Sequence, residues 1–264
     1  MKIALFTSNQ PRHRHLIECF SKIASEVLVV SEVTTIFPGA TEDFYNKSDI
    51  MKDYFTRMQQ AERNVFGDPG YGPSNVRVFP IKMGDVNNIP VAWFKQLESV
   101  DYIVVFGASW IRGELCDLLL RKKAINIHMG VSPYYRGATC NFWALQDRRP
   151  EMVGATIHYL SKGLDSGKMI MHALPKPRLV EGFELGMLAV KAAHECLTSL
   201  LKDGSIFELE PLVQDKSQEL RYSRRAEFND EVAHDFLNNP LSAEFISQRC
   251  ADRDLGLFLR PFLA

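Results

Sequence analysis

The sequence predicts an α/β fold, an open Rossmann-like sheet with helices between its strands. Two patterns carry this prediction. Short apolar runs at 2–6, 26–30, 76–81 and 101–106 have strand length, and the intervals between them carry apolar residues at helical spacing. Polar or glycine-containing loops then leave the C-terminal ends of the first and fourth runs, where open α/β sheets bind ligands.

Residues 2–6 read as a core strand and 12–23 as a helix, with Leu16, Ile17, Phe20 and Ile23 at helical spacing. The turn between them is Thr7-Ser8-Asn9-Gln10-Pro11-Arg12-His13. Free N–H groups and the helix dipole make such a turn an anion site. Ser8, Asn9, Arg12 and His13 are the candidates for a substrate phosphate or diphosphate; a capped helix start with solvated polar groups is the equal alternative. The first glycine of the chain is Gly39, so the dinucleotide fingerprint Gly-x-Gly-x-x-Gly is absent, which argues against a nicotinamide dehydrogenase.

Residues 26–30 read as a second strand and 35–75 as a long insertion. Within it, 48–66 places Ile50, Tyr54, Phe55, Met58 and Val65 on one helical stripe, and the glycine- and proline-rich 67–73 is a loop carrying Tyr71. A strand at 76–81, a helix at 89–97, a strand at 101–106 and a helix at 115–120 follow.

The stretch 124–145, AINIHMGVSPYYRGATCNFWAL, opens as a buried strand. Side chains alternate along a strand, so Asn126 and His128 share one face while Ile125 and Ile127 pack the other. An amide and an imidazole on one face of a core strand both need partners. An apolar segment with helical pattern, 141–145, comes after the turn. Beyond lie Gly154-Ala155-Thr156-Ile157-His158-Tyr159 and Gly163-Leu164-Asp165-Ser166-Gly167, an acid in a glycine-bracketed loop. A strand at 169–173, a long apolar helix at 183–201, a strand at 208–213 and a polar segment at 214–230 complete the order; the tail beyond is too short for a core of its own.

The 264 residues suffice for one large domain, with a hydrophobic fraction of 46% and a charged fraction of 24% ordinary for a globular protein. A net charge of −1 with dispersed Lys and Arg argues against a nucleic-acid surface. Five cysteines without Cys-x-x-Cys spacing suggest reduced, mostly buried thiols and a cytoplasmic protein. No apolar run reaches membrane-spanning length and no signal peptide is evident, so no membrane partner is expected. His158 and His172 lack a ligand cluster of the usual spacing, so they read as structural or wall residues and no metal is expected.

Asn126-Ile127-His128, the turn Pro133-Tyr134-Tyr135-Arg136-Gly137, Trp143-Ala144-Leu145 and the 154–159 and 163–167 blocks together resemble the folate-dependent formyltransferases. The resemblance covers residues 100–175 and departs at Met129-Gly130, where the family usually has Pro-Ser. It implies a Rossmann-like sheet of the formyltransferase type over residues 1–203, with a C-terminal extension at 204–264. It implies N10-formyltetrahydrofolate as cosubstrate, bound at Phe106, Gly107, Trp110, Ile111, Gly163 and Leu164. Asn126 then donates to the oxyanion, His128 takes the amine proton and Asp165 orients it, with the division of proton transfer between the last two open. Tyr135 and Arg136 are further substrate candidates, an architectural corner being the alternative.

Among acceptors, the short tail and lack of a basic face argue against methionyl-tRNA, and the Ser8–His13 turn lacks the glycines that glycinamide ribonucleotide transformylase uses there. Retention of Asn126, His128 and Asp165 argues against a folate-binding regulatory protein without turnover. The expectation left is a sugar N-formyltransferase acting on a GDP- or dTDP-linked amino-deoxysugar, similar to enzymes that formylate perosamine-like sugars for bacterial surface polysaccharide (O-antigen). The apolar 183–201 helix and the aromatic insertion are compatible with a homodimer.

Overall fold

The computed structural model describes residues 1–33, 48–68 and 70–264, so 34–47 and 69 of the expected insertion lie outside the described residues. The strands in chain order are β1 (Lys2–Ser8), β2 (Glu26–Val33), β3 (Val76–Lys82), β4 (Tyr102–Phe106), β5 (Ile125–His128), β6 (Tyr135–Gly137), β7 (Ala155–Tyr159), β8 (Met169–Leu174), β9 (Arg221–Ser223) and β10 (Phe262–Leu263). The helices are α1 (Pro11–Ser21), α2 (Asp49–Phe66), α3 (Gly113–Arg121), α4 (Cys140–Gln146), α5 (Gly182–Asp203), α6 (Asp230–Asn238) and α7 (Ala243–Ala251).

Eight strands form one mixed sheet in the order β10-β8-β7-β5-β4-β1-β2-β3. From β3 to β5 the pairing is parallel, β7 is antiparallel to both β5 and β8, and β10 is parallel to β8. The side-chain period of two places the sheet between two helical layers. Ile3 and Leu5 pack with Leu16 and Phe20 of α1 and Val190 and Leu197 of α5, whereas Ala4 and Phe6 pack with Leu115 and Leu119 of α3. Strands covered on both faces must be apolar throughout, as YIVVF of β4 is. β1 has β2 on one side and β4 on the other, so strand order reverses there, and a crevice opens at their C-terminal ends.

A further apolar cluster joins α2, α4, the start of α5, α6 and α7 through Tyr54, Phe142, Leu185, Ala233 and Ile246. Arg221 stacks 3.8 Å from the Trp143 ring and pairs with Asp147, while buried Arg253 donates to the carbonyls of Glu151 and Pro175. These contacts bind residues 204–264 onto α4 and the segment after it, and β10 closes the sheet edge.

Two expected elements differ. The segment expected as a helix at 89–97 is a 3₁₀ stretch, Val91–Ser99, with non-helical backbone at Phe94. Its buried Phe94, Leu97 and Val100 recur every three residues, the period of a 3₁₀ turn. The expected strand at 208–213 reduces to one bridge between Leu212 and Met169, because Pro211 brings no N–H to a ladder. All five cysteines are free, four of them buried, and no helix of the described residues is long and apolar enough to cross a membrane.

Candidate active site

The crevice at the ends of β1 and β4 continues into a cavity of about 570 Å³ that also meets the end of β5. Asn126, His128 and Asp165 line it together with Phe106, Gly107, Trp110, Ile111, Gly163 and Leu164, and with Ser8, Arg12 and His13. Trp110 is 54% exposed at its rim rather than packed in the core. The loop of Gly107 to Ile111 is held by Glu32, a buried carboxylate whose oxygens accept from the backbone N–H groups of Ser109 and Gly84.

β5 presents Asn126 and His128 on one face, and the 163–167 loop lowers Asp165 onto both. His128 Nδ1 lies 3.2 Å from Asp165 Oδ2, and Asn126 Nδ2 donates to Asp165 Oδ1 at 3.2 Å. Asn126 Nδ2 also donates to His158 Nε2 at 3.0 Å. That tautomer follows from the other side of the ring, where Nδ1 must donate to the Tyr159 carbonyl at 2.8 Å. Burial alone would depress the His128 pKa, but the Asp165 carboxylate and the Cys140 sulfur outweigh it and hold the imidazole well above its ordinary value. Asp165 is buried too, yet the His128 imidazolium keeps it below the usual carboxylate range. At neutral pH the pair is therefore ionised, with the proton on His128.

The departure at Met129-Gly130 has a packing cause. A Cβ on Gly130 would stand 2.5 Å from Cys140 Cβ and 2.8 Å from His128 Nε2, so only glycine lets Cys140 close on the imidazole. Cys140 Sγ sits 3.5 Å from His128 Nε2. Asp165 has φ +45, a strained conformation for a non-glycine residue. Gln214 holds it there, donating from Nε2 to the carbonyls of Asp165 at 2.8 Å and Gly167 at 2.9 Å. Gly167 is needed because a Cβ there would collide with the Tyr159 carbonyl.

The β1–α1 turn is more committed than its sequence suggests. Ser8 Oγ donates to the Glu32 carbonyl, and Arg12 pairs at 3.0 Å with Glu62 of α2, whose side chain is 2% exposed. Burial, together with nearby Arg12 and His194, holds His13 well below its ordinary pKa, so it is neutral at neutral pH. Asn9, Tyr135 and Arg136 are not among the residues lining the cavity. Tyr135 is buried with its hydroxyl on Asp147, and Arg136 pairs with Glu219, so this turn is the architectural corner. Tyr71 is fully exposed away from the cavity. Sequence reasoning does not single out Cys140, Gln214 or Phe236 and takes His158 as a structural or wall residue; of these only His158 carries a signal, an imidazole on the strand paired with Asn126.

Residues 91–176 match the family model described as formyl transferase. A methionyl-tRNA formyltransferase from Synechocystis sp. is 25% identical over 119 residues, which are 45% of this chain and 36% of that protein. The match thus spans well under two thirds of that curated relative. Among solved structures, a 4-N formyltransferase from Francisella tularensis superposes with TM-score 0.54 at 18% identity, covering 86% of this chain and 77% of that one. The formyltransferase PseJ from Anoxybacillus kamchatkensis, in complex with UDP-4,6-dideoxy-4-formamido-L-AltNAc and tetrahydrofolate, gives TM-score 0.50 at 18% identity, covering 95% of this chain and all (100%) of that one. The formyl transferase match thus covers residues 91–176, and the chain as a whole shares its α/β fold with these two solved formyltransferases.

Proposed function

We propose that this protein moves the formyl group of N10-formyltetrahydrofolate to the amine of a nucleotide-linked amino-deoxysugar. The observation that carries the reading is the buried Asn126–His128–Asp165 arrangement, open to a cavity at the switch point of the sheet. The folate fits the end formed by Phe106, Gly107, Ile111 and Leu164: apolar walls suit a flat heterocycle, and backbone groups of the loop suit its polar edge. When bound, it supplies the activated formyl carbon.

The chain's own residues then manage charge and protons. His128, an imidazolium held by Asp165, offers its Nε2–H, which among the described residues faces the weak acceptor Cys140 Sγ. A carbonyl oxygen gaining negative charge is a far better acceptor, and a preorganised donor is worth about 3–4 kcal/mol to it. Asn126 supplies a second donor by exchanging its hydrogen bond to Asp165 for one to that oxygen. His128 releases its proton to the departing nitrogen and regains one from the attacking amine, so the ion pair is restored after each turnover. Asp165 keeps the ring oriented and its charge balanced throughout.

The sugar acceptor is supported by the fold shared with the 4-N formyltransferase and PseJ. The surface-polysaccharide role and GDP-perosamine remain the finer part of the proposal. The test is formyl transfer to a panel of GDP-, dTDP- and UDP-linked amino-deoxysugars beside charged initiator tRNA and glycinamide ribonucleotide, read by mass spectrometry. One nucleotide sugar heavier by a formyl group is expected; transfer only to tRNA or to glycinamide ribonucleotide overturns the acceptor class.

A further inference from the structure

Gly186 sits inside α5, where glycine is the least favourable ordinary residue after proline. Its backbone does not require glycine, since its φ lies outside the left-handed region. Packing does not require it either: a Cβ built there would meet no atom within 4 Å. What faces it is the cavity, of which Gly186 forms part of the wall. A helix that forgoes a side chain toward a cavity leaves room there for something else.

Other residues lining the same cavity narrow what fits, Phe183 among them three positions before Gly186 on α5. Phe142 and Phe183 both stand edge-on or tilted to Phe236, with ring centres 5.0 and 5.4 Å apart, and Met187 follows Gly186 on the same wall. Histidines aside, Arg12 and Asp165 are the only charged side chains among the described residues lining the cavity, and each already has its counter-charge in Glu62 and His128. A phosphate buried at the aromatic end would lose water without gaining a cation, whereas apolar carbon loses nothing.

We propose that Gly186, with Phe142, Phe183 and Phe236, forms the acceptor-recognition end of the cavity and receives an apolar edge of the amino sugar, a deoxy carbon or C-methyl group, while its phosphates stay outside this end. The inference rests on the sugar N-formyltransferase reading above. It makes Gly186 a specificity-determining residue and gives the C-terminal segment, through Phe236, a part in choosing the substrate.

The test compares wild type with Gly186→Leu, using N10-formyltetrahydrofolate and paired dTDP- and GDP-linked acceptors, 4-amino-4,6-dideoxyhexoses and their 6-hydroxy counterparts. Leucine favours a helix, so the melting temperature of Gly186→Leu should equal or exceed wild type, which separates lost binding from lost folding. The acceptor KM should rise roughly tenfold or more with the folate KM little changed, and wild type should prefer the 6-deoxy acceptor by a similar factor. An unchanged acceptor KM, a rise confined to the folate, or preference for the 6-hydroxy sugar overturns this inference alone. No formylated product from wild type with any nucleotide sugar overturns the functional reading, and this inference with it.

Discussion

His128 Nδ1 and Asp165 Oδ2 face each other at 3.2 Å in the interior, one from a sheet strand and one from a strained loop thirty-seven residues later (165 minus 128). Their pairing sets the protonation state in which the cavity meets its substrates. Removing the carboxylate while keeping its shape, as in Asp165→Asn, should lower kcat by roughly 10³–10⁴-fold, the scale seen when an oriented histidine loses its acid. Circular dichroism should remain that of the wild type.

The same pair predicts a pH profile. The folded pKa of His128 is raised, so the imidazolium persists at neutral pH and is lost only as pH rises through that raised value. The step that needs this proton should be flat around pH 6.5 and fall on the alkaline side, and in Asp165→Asn the fall should move toward lower pH. An alkaline limb unmoved by the substitution would count against His128 as the donor.

Acid should destabilise the fold through other histidines. Burial pushes His15 and His172 down to about 4, and His13 and His194 are held well below 6.5 by burial and neighbouring charge. Their unfolded forms bind protons first, so stability present above pH 6.5 is lost progressively as pH falls toward 4. Thermal melts between pH 7.5 and 4.5 should therefore show a decreasing midpoint, by several degrees overall. A flat profile would contradict this.

Arg12→Ala should act mainly on stability. Glu62 would be left as a buried, unpaired carboxylate, a loss of roughly 3 kcal/mol. The double variant Arg12→Met with Glu62→Gln should recover most of it in denaturant melts. A single variant as stable as wild type, with a raised acceptor KM, would instead make Arg12 a phosphate ligand.

Gln214→Ala removes the two hydrogen bonds that its amide gives to the Asp165 loop. Its kcat should drop by about tenfold, with stability lower by about 1–2 kcal/mol and the acceptor KM little changed. Equal turnover would show that the loop keeps its shape without the clamp.

Much of this was legible in the chain because the period-two pattern of β5 alone puts Asn126 and His128 on one face, and the glycines around Asp165 mark a tight loop. β1 and β4 read clearly for a different reason: covered on both faces, they are apolar runs, IALF in β1 and YIVVF in β4. The stretch at Val91–Ser99 is legible as helical but not as 3₁₀, because Phe94, Leu97 and Val100 fit either helical period over so short a span. Arg12 looked like an anion ligand because its partner Glu62 lies fifty residues away on α2, beyond any local pattern. Gln214, in a polar segment, and Phe236, on the amphipathic α6, reach the site only through tertiary packing. Tyr135 and Arg136 belong to a buried corner, and their side chains point to Asp147 and Glu219 instead of the cavity.

The most direct measurement is a single turnover with N10-formyltetrahydrofolate carrying a ¹³C-labelled formyl group and an amino-deoxysugar nucleotide, for wild type and His128→Asn. The label should appear as a formamide on the sugar with wild type, and its transfer should be slowed by roughly 10³-fold or more in the variant. Equal transfer by His128→Asn, or label released only as formate, would contradict this.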